Sequence, residues 1–242
     1  MKKERYSSRS IWDALLNDIR SGRYKDARKL PPETVLASEL GISRTQLRDG
    51  LAILEQDGFI TRRRGIGTVI NRHVVDVKTR IDLADEFQPM IRQAGYRPDM
   101  LLLASDVLKN DPYVAEKLGV TVNTPILTMT KVVTADDRPA IFAFDYVAFP
   151  VIRNFDYTDE DLALPIFVFL ERFCEADIAM NLTELTPVTA DRFLSERLQI
   201  EPGAPLLQFE NLAYDIDNKL IMYSREFYAD GFFKHMILRK KI

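Results

Sequence analysis

Residues 30–70 read LPPETVLASELGISRTQLRDGLAILEQDGFITRRRGIGTVI. The order of signals in this stretch decides the fold of the first part of the chain. Pro31-Pro32 open a helix, since proline tolerates the first helical turn. Its core side is Leu36, Ala37 and Leu40. Gly41 permits a sharp turn, because glycine takes the positive φ that side chains resist. Ser43 opens the next helix and, with Gln46, makes a Ser-x-x-Gln capping box. Leu47, Leu51 and Leu54 share one face of that helix and pack inward. After Asp57-Gly58 the pattern predicts two short strands, Phe59–Arg64 and Thr68–Asn71, joined at Gly65-Ile66-Gly67. Helix, tight turn, helix and basic hairpin make a winged helix-turn-helix, and that order points to DNA.

The chemistry at the exposed end of this unit fits the same reading. The first turn of the second helix offers Ser43, Arg44, Thr45 and Gln46 outward, with Arg48 one turn on. Free backbone amides and the helix dipole attract phosphate there. Arg62, Arg63 and Arg64 give the hairpin a dense positive tip, hinged by Gly65 and Gly67, of a shape that enters a narrow minor groove. Each signal alone has a bland reading. Three arginines in a row are as a rule a solvated surface, Gln46 caps its own helix, and the two glycines make an ordinary hairpin turn. The helix-turn-helix followed by a basic wing has no such reading. Upstream, Ile11, Trp12, Leu15, Leu16 and Ile19 predict one more helix over 8–21, stopped at Gly22.

Charge divides the 242 residues into two parts. Residues 1–72 carry 15 Lys/Arg against 9 Asp/Glu, and the remainder carries 18 against 27, so a basic head precedes an acidic body. Expected domains are 1–72 for DNA binding, 73–81 as a linker and 82–242 as a sensing and dimerisation body. Cys174 is the single cysteine, which excludes an internal disulfide and fits a reducing, cytoplasmic setting. MKKERYSSRS lacks the apolar run of a signal peptide, and no stretch approaches the roughly 20 apolar residues of a membrane span.

The body predicts an α+β unit. A helix over 82–94 ends at Gly95, and strand patterns follow. AEKLGVTVNTPIL (115–127) aligns without gaps on SERLQIEPGAPLL (195–207), an offset of 80 residues. Each copy reads as a short helix, a strand, a tight turn and a return strand. The hairpins are expected at 126–134 with 140–149 and at 205–216 with 219–229, with a last strand over Phe232–Arg239. An antiparallel sheet with pseudo-twofold halves is the natural result.

Residues 30–70 also resemble the N-terminal domain of GntR-type bacterial repressors. The resemblance implies a homodimer on an inverted repeat, with Arg44, Thr45, Gln46 and Arg48 near bases and phosphates and Arg64-Gly65 in the minor groove. Thr34 stands where the family often has a DNA-contacting arginine, Gln46 replaces a frequent threonine, and Asp49-Gly50 replaces the usual Glu-Ala. Glycine inside a helix costs about 1 kcal/mol against alanine. Beyond the head, the GY(x)P segment, the VAEKLG-like helix, DDRPA, FDYV and YSREFY are similar to the HutC subfamily, whose UTRA effector domain has a chorismate-lyase-like fold. This implies a repressor released from DNA by a small metabolite bound between the two halves of that domain.

In sugar-phosphate-sensing members, a Ser/Thr-rich helix start and a pair of strand arginines hold the phosphate. Here the helix start carries Asp85, Glu86 and Phe87, and the strand carries Lys131 and Val133. Acidic neighbours repel an anion, and lysine lacks the bidentate fork of arginine. The expected effector is therefore a polyol, an amine or an amino-acid-like molecule, unless Arg92 or Arg225 replaces the lost arginine. The offset of 80 sets Asp145 and Tyr146 against Arg225 and Glu226, with Tyr223 and Tyr228 available to stack on a ligand. The bland alternative is a salt bridge between Asp145 and Arg225. His73, His235 and Cys174 form no metal set and no cofactor is implied. Cys174 reads as buried filler, and FVFLERF reads as core or as a dimer seam. A ligand-responsive regulator thus stands against two other classes. One is an architectural DNA binder whose body only dimerises. The other is a chorismate-lyase-like enzyme with a DNA module, for which no catalytic set is present.

Overall fold

The computed structural model describes residues 8–83, 86–109 and 111–241. They form two compact units. One comprises the described residues up to Asp82 together with those from Met236 on, and the other is Leu83–His235.

The first unit runs α1 (Ser8–Arg20), α2 (Glu33–Glu39), α3 (Arg44–Gln56), β1 (Ile60–Arg63), β2 (Gly67–Ile70) and α4 (Arg72–Val75). The predicted apolar stripes are its core. Ile11, Trp12, Leu15, Leu16 and Ile19 of α1 are buried, as are Leu47, Leu51 and Leu54 of α3, and the two helices pack together. Gly50 sits at their crossing. A Cβ there would lie 2.5 Å from Ile11 Cγ2, so the glycine serves close packing rather than helix propensity. Gly50→Ala gains about 1 kcal/mol of propensity but overpacks a core, which costs about 1–3 kcal/mol. A net loss is expected in urea denaturation, and a gain would mean that α1 and α3 are free to separate.

Arg72 ties the unit from below. Its guanidinium donates to Ile19 O at 2.9 Å, Ala27 O at 2.7 Å and Tyr24 O. The expected strand over Phe232–Arg239 does not form; only Met236 makes a bridge, parallel to Arg80. Met236 N donates to Thr79 O, and Ile81 N donates to Met236 O. Backbone groups that a sheet would have paired are taken up by residues 79–81, where Thr79 and Arg80 are buried. Lys240 Nζ then donates to the carbonyl of Glu55 at 2.9 Å, at the end of α3.

The second unit runs α5 (Phe87–Ala94), β3 (Pro98–Leu108), α6 (Pro112–Lys117), β4 (Ile126–Ala135), β5 (Arg138–Ala148), α7 (Asp159–Leu162), α8 (Ile166–Cys174), β6 (Ile178–Thr189), α9 (Arg192–Leu198), β7 (Pro205–Asp215) and β8 (Leu220–Ala229). The strands form one antiparallel sheet in the order β3-β4-β5-β8-β7-β6. The internal repeat reaches further than the aligned segments. An offset near 80 carries α5 onto α8, β3 onto β6, α6 onto α9, β4 onto β7 and β5 onto β8. The sheet order is accordingly palindromic about β5 and β8.

The two hairpins differ by one residue. Asp136 and Asp137, both at positive φ, make the first turn, and Val133 pairs with Ile141. In the second hairpin Ala213 pairs with Met222, so the return strand is displaced by 81 positions. Asp145 therefore corresponds to Glu226, and Phe144 to Arg225. The sequence alignment had set Asp145 against Arg225, one residue out, and a one-residue slip in a strand exchanges its faces.

The helix expected over 82–94 begins at Phe87. Glu86 has the extended backbone of an N-cap, φ −62 and ψ 152, and Pro89 has no N–H with which to bond residue 85. α8 buries Phe169, Leu170, Phe173 and Cys174. Within FVFLERF, Phe169, Leu170 and Phe173 are core while Phe167 and Val168 are half-buried, and burial pushes the Cys174 thiol up to about 12.

Candidate functional site

The exposed end of α3 is built as a platform. Ser43 Oγ accepts from Gln46 N at 3.2 Å, and Ser43 N donates to Gln46 Oε1 at 3.0 Å, which completes the capping box. The cap fixes the first turn and spends the Gln46 carbonyl within it. Thr34, Ser43, Arg44, Thr45 and Arg48 are exposed, and Gln46 is half-buried. Glu33 of α2 faces both arginines, with Arg48 Nε at 2.7 Å and Arg44 Nη2 at 3.9 Å from its Oε2. Glu33 was not singled out by the sequence, because the α2–α3 turn that brings it across is a tertiary feature.

On the wing, Arg63, Arg64, Gly65, Ile66 and Gly67 are exposed at the tip. Arg62 differs from its neighbours. Its Nε donates to Glu55 Oε2 at 2.8 Å and its backbone N–H to Glu55 Oε1 at 2.7 Å. Arg62 holds the wing against α3, and the Glu55 carboxyl lies below its ordinary value through these bonds although burial opposes the shift.

In the second unit, sheet register sorts the predicted effector residues by face. Lys131 pairs with Ala143 and Ala143 with Glu226; Asp145 pairs with Ser224 and Ser224 with Asn211. Lys131, Asp145, Ser224, Glu226, Tyr228 and Asn211 therefore share one face. Lys131 and Asp145 are both buried, with Lys131 Nζ 3.2 Å from Asp145 Oδ2 and 3.1 Å from the carbonyl of Leu164. The ion pair lacks hydrogen-bond geometry, so Asp145 Oδ2 keeps no donor. Asp145 thus pairs with Lys131, not with Arg225 as the bland sequence reading had it. The equivalent pair in the other half is Asn211 Nδ2 donating to Glu226 Oε1 at 2.8 Å. Tyr228 donates to Glu226 Oε2 at 2.6 Å, and the Phe87 ring meets Tyr228 edge-on at 6.5 Å. Glu86 closes the group from the start of α5, its Oε1 accepting from Phe167 N at 2.8 Å.

Three carboxylates thus face one ammonium. Burial pushes the Glu86 carboxyl up to about 7, and Asp145 adds to the rise. Burial does the same for Glu226, again to about 7, with Asp145 and Glu86 contributing. Among the described residues no group of three or more His, Cys, Asp or Glu is placed to hold a metal ion. Asp85 lies outside the described residues. Tyr146 and Arg225 lie on the opposite face, where Tyr146 stacks on Tyr223 at 5.4 Å.

Residues 7–70 match the bacterial regulatory proteins of the gntR family, and residues 93–233 match the UTRA domain. The chain belongs to the GntR family and carries a UTRA domain. It is 26% identical over 235 residues to the HTH-type transcriptional regulator RB1450 of Rhizobium meliloti, covering 93% of each chain. It is 24% identical over 204 residues to the HTH-type transcriptional repressor NagR of Bacillus subtilis, covering 84% of this chain and 82% of that one. Among solved structures, YydK of Bacillus subtilis aligns with a TM-score of 0.78 at 18% identity, over 96% of this chain and 99% of that one.

These full-length relatives are transcriptional regulators, and this GntR-family chain is one too, not an enzyme. Within its UTRA domain the polar face has partners that sequence reasoning missed. Asn211 and Ser224 carry no charge to draw notice, and only the sheet register aligns them with Lys131 and Asp145. Among the described residues no helix is long and apolar enough to cross a membrane.

Proposed function

We propose that this protein is a ligand-responsive repressor, similar in organisation to the HutC subfamily, that binds an inverted-repeat operator as a homodimer. DNA is read by Arg44, Thr45 and Arg48 at the start of α3, with Thr34, Ser43 and Gln46 beside them. Arg64 at the wing tip enters the minor groove through the open backbone of Gly65 and Gly67. The exposure of these side chains on a capped helix end supports the assignment. Met180 and Leu182, exposed on one face of edge strand β6, and Leu185, exposed on the other, support a second copy of the chain as partner, since apolar side chains on an open edge invite association. The setting is cytoplasmic, where such an operator lies.

Glu33 then acts as a stand-in for phosphate. Glu33→Gln is expected to raise affinity for a duplex selected in vitro about two- to fivefold, since an exposed ion pair is worth up to about 1 kcal/mol. Fluorescence anisotropy at fixed salt reads this, and unchanged or weaker binding removes the competition.

The effector site is the polar face of the UTRA domain, with Glu86, Phe87, Lys131, Asp145, Glu226 and Tyr228 as its contacts. The observation that carries this reading is the excess of carboxylate over ammonium around Lys131. Such a site favours an amine-bearing or polyhydroxylated metabolite over a sugar phosphate. Effector binding shifts the population of the dimer away from the DNA-competent arrangement, for which a coupling of about 1–3 kcal/mol suffices.

Thermal shift against metabolites sorted by charge tests the class. A ligand at about 100 times its dissociation constant adds about 2.7 kcal/mol, a rise of a few degrees. Amines are expected to stabilise, and increasingly so from pH 6 to 8 as Glu86 and Glu226 ionise. Stabilisation by sugar phosphates alone overturns the class. Stabilisation without loss of operator affinity reduces the head and body to an architectural pair.

A further inference from the structure

The face of the sheet opposite Lys131 holds a cavity of about 250 Å³ that includes Phe144, Phe193, Phe227, Leu194, Gln208 and Arg225 in its wall. Three phenylalanines, Val188 and Leu194 make its apolar part, Thr189, Gln208 and Asp191 its polar part, and Arg225 is the one cation among the lining residues. The guanidinium lies between two rings, 5.8 Å from the Phe144 centroid and 5.6 Å from that of Phe227. Its Nε is buried and has no hydrogen-bond partner. Among the described residues no carboxylate lies within ion-pair distance of it.

The neighbouring acids are already engaged. Glu210 is the cross-strand partner of Arg225, yet its carboxylate accepts from Lys117 Nζ at 2.7 Å and from the Tyr113 hydroxyl at 3.0 Å. Asp191 accepts from Leu194 N at 2.8 Å, as the cap of α9. A buried guanidinium donor with nothing to bond is costly, and such a group marks a place where an acceptor belongs.

We propose that this cavity is a second ligand site, independent of the Lys131 face. It takes a small monocarboxylate with an apolar body. The carboxylate accepts from Nε and one terminal nitrogen of Arg225, the fork geometry that guanidinium offers. The body lies among Phe144, Phe193 and Phe227. Drug-sized pockets hold about 300–1,000 Å³, so this one suits a molecule the size of a single ring or a short branched chain. A dianionic phosphate finds Arg225 as the one cation among the lining residues and Asp191 in the same wall, so one negative charge is favoured over two.

The test uses the full-length protein with benzoate, phenylacetate and isovalerate as probes and benzamide as the neutral control. The readout is the Arg225 Nε–H resonance, which a contacting carboxylate shifts directly, together with melting temperature. At least one acid is expected to shift that resonance with a dissociation constant of about 1 mM or lower. Benzamide should bind at least tenfold more weakly, and Arg225→Gln should abolish the acid's effect. Where Arg225→Gln fails to fold, Phe193→Ala serves instead; its parent side chain is 45% exposed at the rim, and the variant should weaken the acid at least threefold. The proposal falls if no acid moves the resonance at about 10 mM, or if benzamide matches benzoate. It falls equally if the variant that folds binds the acid like the native protein.

Discussion

Lys131→Met is expected to destabilise the UTRA domain by about 3–5 kcal/mol at pH 8, the usual cost of removing one partner from a buried ion pair. The side chain is 1% exposed, and its ammonium lies against Asp145 and acts on Glu86, beside which Glu226 stands on the same face. Methionine matches its length and leaves little void, so loss of charge dominates over loss of packing. The loss should depend on pH in a defined direction. Glu86 and Glu226 rise from an ordinary 4.5 to about 7 in the folded chain, so the folded state binds more protons than the unfolded one between those values. Their contribution is fully present below about pH 4.5 and is lost as pH rises through about 7. Without Lys131 the carboxylates repel more strongly, and the decline steepens. Urea denaturation at pH 5.5 and 8 should show most of the deficit at the higher pH only. An equal deficit at both would mean that shape, not charge, is what Lys131 supplies. No deficit at all would dissolve the cluster as an electrostatic unit.

What the sequence disclosed depended on how local the signal was. The α1 stripe, the Ser43–Gln46 capping box and the hairpin at Gly65–Gly67 are set by residues within a turn or two of each other, and each formed as read. The offset of 80 was legible because aligned residues repeat their types along a helix and the strand after it. It failed by one residue past the second turn, where Ile216–Lys219 holds more chain than Asp136-Asp137. That slip moved Arg225 off the face that carries Asp145, and put Glu226 there. The same kind of limit hid Gly50. As a helix residue it looked like a defect, and only the distance to Ile11 shows why alanine does not fit. The C-terminal segment after Asp230-Gly231 reads as a last strand, yet Met236 bonds to residues 79 and 81 instead. Pairing partners distant in sequence leave no local mark.

Arg44→Ala and Arg48→Ala should each weaken operator binding by about 1–3 kcal/mol, and together by a factor of roughly a hundred or more, while the dimer stays intact. Both side chains are 58% exposed and both lean toward Glu33, so neither supports the core. The two variants separate by their salt dependence. A residue on phosphate lowers the slope of log affinity against log salt by about one and weakens all sequences alike, whereas one on a base edge relaxes specificity at a single position. Arg62→Ala provides the internal contrast. Its guanidinium is already engaged by Glu55 at 2.8 Å, so its loss should loosen the wing and raise the susceptibility of residues 60–70 to proteolysis before it alters the salt slope. Arg64→Ala, at the exposed tip, should do the reverse. If Arg62 carries the larger salt effect, the wing must detach from α3 on binding, and Glu55 becomes a latch rather than a strut. If Arg44 and Arg48 both keep native affinity at physiological salt, the start of α3 does not enter the groove, and the docking inferred for this head is wrong.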